Sequence, residues 1–365
     1  MMKRVQEING FGRKLTYLSA AVVLGNSMGC IQASSTMNVA VDATLIQTVH
    51  GNIEQRLNSR NAEKDVVAGD SIESQGFWSR YIYSDGNQKE ADDKNAIALR
   101  LNGCTLGLEG IVNEQLTVGF AFTYSKTNID VKDGSEILRS QKSDNYLGTL
   151  YLGWTEGPWF VNTVLSYGED EDKNIYSQPL GNNPVNGIPL PYLNLKGDSK
   201  IKTWGITLGG GYNLAISEEW TFKSKAEFNF VNISYDDRNM KTDAALSEND
   251  ICYTTKDIQI AEVGVGFSLL GNIVVGKGVL TPEFRLMGYY DGIENKTESD
   301  VIYIPSMTPL FSRVEGQKRD QGRAVVGLGL TYAGNGGVSF GVDCDYSFSG
   351  DYKMHSVSAK VGYKF

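Results

Sequence analysis

Histidine is nearly missing from this 365-residue chain; His50 and His355 are its two copies. Imidazole chemistry therefore has little to draw on, and no nucleophile motif surrounds either ring, so no catalytic residue is assigned. His355 with Asp351 is the one pairing that a hydrolytic reading would need. Cysteine is scarce too. Cys30, Cys104, Cys252 and Cys344 lie far apart, which excludes closely spaced zinc ligands and the dense bridging of a small secreted scaffold. Cys104 and Cys252 stay open to two readings, a bridge or small apolar fillers. Apolar runs are short and mean hydropathy is negative, so this is not a helical membrane protein. Positive charge is outweighed, with 34 Lys and Arg against 43 Asp and Glu, and a net charge of -9 argues against a nucleic-acid partner. Neither a metal nor a cofactor is implied. Proline is sparse, 8 residues beside 41 Gly, 19 Tyr and 14 Phe, as expected where many strands must pair without interruption.

What is present is a period of two. At the carboxyl end Val357, Ala359, Val361, Tyr363 and Phe365 share one parity, and Ser356, Ser358, Lys360, Gly362 and Lys364 share the other. A chain that ends in mid-strand on an aromatic residue suits a closed barrel in lipid, where the last strand pairs with the first. From Gly76 onward about twelve such strands follow. The sharpest has Trp220, Phe222, Ala226, Phe228 and Phe230 facing one way, and Thr221, Lys223, Lys225, Glu227 and Asn229 the other.

The links between strands alternate in length. Those from Ser84 to Ala96, Ser125 to Asn145, Gly168 to Lys202, Ser234 to Asp257 and Asp291 to Gly322 are long and polar. Those from Val112 to Glu114, Thr155 to Pro158, Ala215 to Glu219, Leu270 to Val279 and Ala333 to Gly337 are short, and the last hairpin, Ser349 to Tyr352, is short as well. A sandwich has no reason to sort its loops in this way. An outer-membrane barrel does, with long loops outside and tight turns in the periplasm, where the carboxyl end also lies. The fold class is thus all-β: a transmembrane up-and-down antiparallel β-barrel of about 12 strands with an N-terminal helix in its lumen.

Three segments are expected. Residues 1–33 read as a signal peptide, basic at Lys3, Arg4, Arg13 and Lys14, then apolar, with a cut after Ala33; Cys30 leaves lipidation as the alternative. Residues 34–75 hold a short leading stretch, an amphipathic helix and a connector, and residues 76–365 the barrel. The helix shows in Val41, Leu45, Val49, Ile53 and Leu57, which recur every fourth residue. Lumen parity carries Lys223, Lys225, Glu227, Glu262, Glu283, Arg285, Arg323, Asp343, Asp345, Lys360 and Lys364. These charges of both signs fit a solvated pore wall, or partners for one another and for the helix as a plug. An amphipathic plug would prefer a partly apolar wall, and only a patch of small residues is expected, including the Gly209–Gly211 run, which lacks the lysine and helix start of a phosphate loop.

The helix ahead of the first strand, the Gly76-Phe77-Trp78-Ser79-Arg80 opening, the Leu280-Thr281-Pro282-Glu283-Phe284 segment and the ending through His355 to Tyr363-Lys364-Phe365 together resemble the translocator domain of autotransporters, the type V secretion family of Gram-negative bacteria. The resemblance covers roughly Ala40 to Phe365. It implies a barrel threaded by the helix, insertion into outer-membrane lipid by the barrel-assembly machinery reading the terminal strand, periplasmic chaperones, a monomeric barrel, and export of an amino-terminal passenger. Ser34 to about Asn38 is all that stands between the expected cut and the helix, so a truncated or minimal member is expected. Some members cut themselves at an Asn-Asn pair in the helix. Gly51-Asn52 stands there, and a glycine has no amide side chain to cyclise. Two other readings are a stand-alone outer-membrane channel and a surface-binding protein that uses its acidic loops.

Overall fold

The computed structural model describes residues 43–57, 75–89, 96–132, 139–179, 192–242, 250–293, 296–304, 310–318, 320–350 and 352–365. The expected signal peptide, Val41, the connector and Asp351 lie outside them, as does the side chain of Cys252.

Helix α1 spans residues 43–57. The strands in chain order are β1 (Gln75–Gln88), β2 (Ala96–Ile111), β3 (Leu116–Lys132), β4 (Arg139–Glu156), β5 (Trp159–Pro179), β6 (Tyr192–Ala215), β7 (Trp220–Tyr235), β8 (Arg238–Thr242), β9 (Asp250–Thr255), β10 (Ile258–Gly271), β11 (Ile273–Val275), β12 (Gly278–Asp291), β13 (Lys296–Ile304), β14 (Leu310–Lys318), β15 (Gly322–Gly334), β16 (Val338–Ser349) and β17 (Tyr352–Lys364). Strands β1 to β7, β10, β12, β15, β16 and β17 pair antiparallel in sequence order and close on themselves. Closure sets Phe77 opposite Tyr363 and Trp78 opposite Gly362. The Phe365 N–H then donates to the Gln75 carbonyl at 3.0 Å, so the chain end is tied into the ladder. Closure removes the free edge that an open sheet would present, and with it the unpaired backbone groups that lipid cannot satisfy.

Alternation decides which face meets lipid. Leu106 and Leu108 on β2, Phe120 and Phe122 on β3, Val263 and Val265 on β10 and Phe340 on β16 are exposed, while their sequence neighbours Thr105, Ala121, Glu262 and Gly264 are buried. A surface apolar all round a polar interior inverts the order of a soluble protein and fits hydrocarbon. Val357, Ala359, Val361, Tyr363 and Phe365 are all on this outer face. Lys364 shares the inward parity but is exposed, because the strand ends there. Cys104 and Cys344 are free thiols on the outer face, which corrects the open option of a Cys104 bridge: the side chain points away from the bore.

Tight turns gather at one end, with Gly157 (φ 54°) and Gly276 (φ 63°) in the left-handed backbone region that such turns require. At the other end the strands run further than their apolar alternation. The link expected from Ser125 to Asn145 is largely strand, since β3 and β4 stay paired to Val131 and Arg139. Likewise β5 and β6 stay paired to Pro179 and Tyr192. Beyond the lipid band the outer face no longer meets hydrocarbon, so the ladder continues on backbone bonds while the hydropathy pattern fades. Two expected loops also hold strands: β8 and β9 extend one hairpin, β13 and β14 another, and β9 pairs with β13 to join them.

Candidate functional site: the helix-filled bore

Helix α1 lies inside the barrel. All its residues except Gln47, Thr48 and Gly51 are buried, polar ones included. Between its first and last turns it satisfies its own backbone hydrogen bonds, so there only side chains need partners from the wall. Its amino-terminal half faces the long-link end and Leu57 lies near the turns, against Gly153 of β4.

The wall has two tiers. Toward the long-link end it is apolar: Ile97, Leu99 and Leu101 of β2, Ile129 of β3, Ile201 of β6, Val231 and Ile233 of β7 and Ile258 and Ile260 of β10 form one core with Ala43, Leu45, Ile46, Val49 and Ile53. The expected small patch is thus corrected to a substantial apolar surface. It escaped notice because these residues stand on the inward parity, where polar residues were expected; Ile129 and Ile201 fall in links expected to be loops as well. Fully burying each such side chain contributes about 1.5–3 kcal/mol, relative to its exposure.

Toward the turns the wall is ionic. Arg80 of β1 donates to Asn52 and, at 2.9 Å, to Gln55 Oε1 of the helix, and bonds Asp343 of β16 at 2.9 Å. Asp343 also receives Lys360 at 3.1 Å and Arg285 at 3.5 Å, and Arg285 reaches Asp345 at 2.8 Å and Glu283 at 2.9 Å. Lys225 bridges Glu54 of the helix and Glu227 of β7. At the long-link end, beside the apolar tier, Arg323 pairs with Glu262 at 2.9 Å and lies over the Tyr289 ring, while Gln47 of the helix donates to the same carboxylate at 2.9 Å. Lys223 lies 3.7 Å over the Phe160 ring. Pairing offsets the cost of taking these charges out of water, so breaking one pair costs more than the pair itself contributes.

Apart from Lys364, the charges read from the sequence therefore lie in the bore with the helix. Three partners were missed. Glu109 of β2 takes Arg56 at 2.6 Å and the Tyr151 hydroxyl at 3.1 Å, and that hydroxyl accepts from Trp78 at 2.8 Å. Its inward parity, shared with Thr105, could have revealed it. His50 of the helix, given no role from the sequence, is buried with Nδ1 2.7 Å from Thr207 Oγ1 and Nε2 2.8 Å from Ser166 Oγ. Isolated hydroxyl residues in strands carry no comparable sign. His355 is exposed on β17, its ring 4.7 Å from that of Tyr346. Among the described residues there is no cluster of His, Cys, Asp and Glu suited to a metal, and no helix long and apolar enough to cross a membrane, which says nothing of strands.

Beside the helix a cavity of about 130 Å³ remains, lined by Gln47, Thr48, Gly51, Arg285, Met287 and Arg323 among others. It has room for about four waters and for no second helix.

Comparison with known proteins fits this geometry. "Outer membrane protein A" of Rickettsia conorii is 24% identical over 99% of the chain, and its namesake in Rickettsia rickettsii 22% identical over 99%. The chain spans 18% and 16% of those relatives' lengths. In fold it is similar to the translocator domain of the autotransporter NalP from Neisseria meningitidis, with TM-score 0.60 and 15% identity, covering 90% of this chain and 99% of that one. The transport unit of AIDA-I from Escherichia coli gives TM-score 0.55 and 14% identity, covering 80% and 90%. The β-domain of the Bordetella autotransporter BrkA gives 0.51 and 16%, covering 80% and 100%. A family model described as the autotransporter beta-domain matches residues 77–345, most of the chain. The chain belongs to the autotransporter β-domain family, and its barrel is an outer-membrane translocator of the type V secretion class.

Proposed function

We propose that this barrel carries an amino-terminal passenger outward through its bore and that α1 is the trailing part of that chain, left in place as a plug. The observation that carries the reading is the placement of α1 inside the bore, buried but for the face of Gln47, Thr48 and Gly51 on the cavity, with its amino-terminal half toward the long-link end. In this reading the long links are extracellular, and the turns and Phe365 periplasmic, where aromatic side chains suit the lipid interface. The terminal strand from Val357 to Phe365 is then what the barrel-assembly machinery reads, after periplasmic chaperones deliver a monomeric chain.

The test is an epitope inserted after Asn38, ahead of the helix, in cells expressing the full chain. Antibody binding and protease cleavage on intact cells are expected. Reactivity that appears only after the outer membrane is permeabilised would overturn the export reading.

A further inference from the structure

The helix and β6 share a repeat. Ile46, His50 and Glu54 stand one helical turn apart, and they meet Gly205, Thr207 and Gly209, every second residue of the inward face of β6. A methyl group added at Gly205 would come 2.8 Å from Ile46 Cδ1, and one at Gly209 2.7 Å from Glu54 Oε1. Between them Thr207 Oγ1 lies 2.7 Å from His50 Nδ1. Eight residues of helix rise about 12 Å. Four residues of strand span about 13 Å, so the two rows stay in step over their length.

The two glycines act as notches: a larger residue at either would meet the tip of the Ile46 or Glu54 side chain, which would have to leave its seat. The hydroxyl between them offers one polar contact in an otherwise closely packed row. From this geometry we infer that the Gly205–Thr207–Gly209 row is a register site: it sets where a chain in the bore comes to rest, accepting a helix that presents a branched aliphatic side chain, a hydrogen-bonding ring one turn later and a carboxylate one turn further. This inference rests on the export reading above and names what stops the chain. The notch row seats Ile46 and Glu54 close to the wall by shape, while Lys225 of the neighbouring strand holds the Glu54 carboxylate by charge. An ion pair with long side chains tolerates a small axial slide, and a side chain seated over a glycine does not.

The experiment uses the full chain in outer membranes, with the native cysteines replaced by serine and the substitutions Gln47→Cys and Glu262→Cys. Gln47 lines the cavity, so a small bis-electrophile such as dibromobimane reaches it. Four residues are then inserted after Gly69, lengthening the chain between helix and barrel. The Gln47→Cys product is expected to persist. Transfer of cross-linking to a Gly51→Cys variant, one turn along, would show that tether length sets the register and would overturn the inference.

Independently, Gly205→Val is expected to abolish the Gln47→Cys product while the barrel keeps its heat-modifiable migration, and Ile46→Ala is expected to restore it. Where valine blocks assembly, Gly205→Ala is expected to lower the yield several-fold. An unchanged yield in the folded variant would refute the notch. The epitope after Asn38 is scored in the same cells: a hidden epitope in the parent defeats the export reading, whereas a displayed epitope with cross-linking indifferent to Gly205 defeats this one alone.

Discussion

Arg80 of β1 places Nη2 2.9 Å from Asp343 Oδ2 of β16, across the closure of the barrel, while Nη1 donates to Gln55 Oε1 of the helix at 2.9 Å. One guanidinium thus ties the closing strands to the plug. Asp343 in turn is the centre of three cations, Arg80, Arg285 and Lys360.

The two ends of this pair differ in what their removal leaves behind. Arg80→Ala leaves Asp343 with Lys360 and Arg285, so the expected cost is about 1–3 kcal/mol. Asp343→Ala leaves three crowded cations without their shared carboxylate, and the expected cost is about 3–5 kcal/mol. Guanidinium unfolding midpoints in lipid or detergent check the ranking. A larger loss for Arg80→Ala would contradict the assignment of Asp343 as the hub.

Gly51 sits in the middle of α1, and a methyl group added there meets nothing within 4 Å. Glycine in a helix interior costs about 0.5–1 kcal/mol relative to alanine. Gly51→Ala is therefore expected to hold the plug more firmly, read as slower amide exchange across residues 43–57. Faster exchange would mean that the helix is not the resting form of this segment.

Phe365 is exposed on the outer face, yet its N–H is bonded to Gln75 at the closure. Deleting it removes both an interfacial aromatic group and that bond. Assembled, heat-modifiable barrel in the outer membrane is expected to fall several-fold. Normal levels would argue against a role for this residue in assembly.

The barrel was legible because lipid and lumen impose opposite demands on alternate residues. Strands such as β7, with Phe228 out and Glu227 in, carry that imprint plainly. The strand ends were not legible. Where β5 passes Asp170 and Asp172, neither face is apolar enough to mark a parity, and only backbone pairing keeps the ladder going. The same limit hid β8, β9, β13 and β14. In the bore, Lys225, Glu227, Arg285 and Asp343 could be found, because a charge on the inward parity needs a partner. The apolar tier of Leu99, Leu101 and Ile260 could not, since an inward isoleucine looks like a break in the pattern until the helix it packs on is in place.

The central claim is that α1 occupies the bore of a closed barrel, leaving a cavity of about 130 Å³. Single-channel conductance in planar bilayers, for the full chain and for the chain lacking residues 37–59, tests it most directly. The intact protein is expected to conduct little and the deletion to open a channel several-fold larger; equal conductance in the two would contradict the plug.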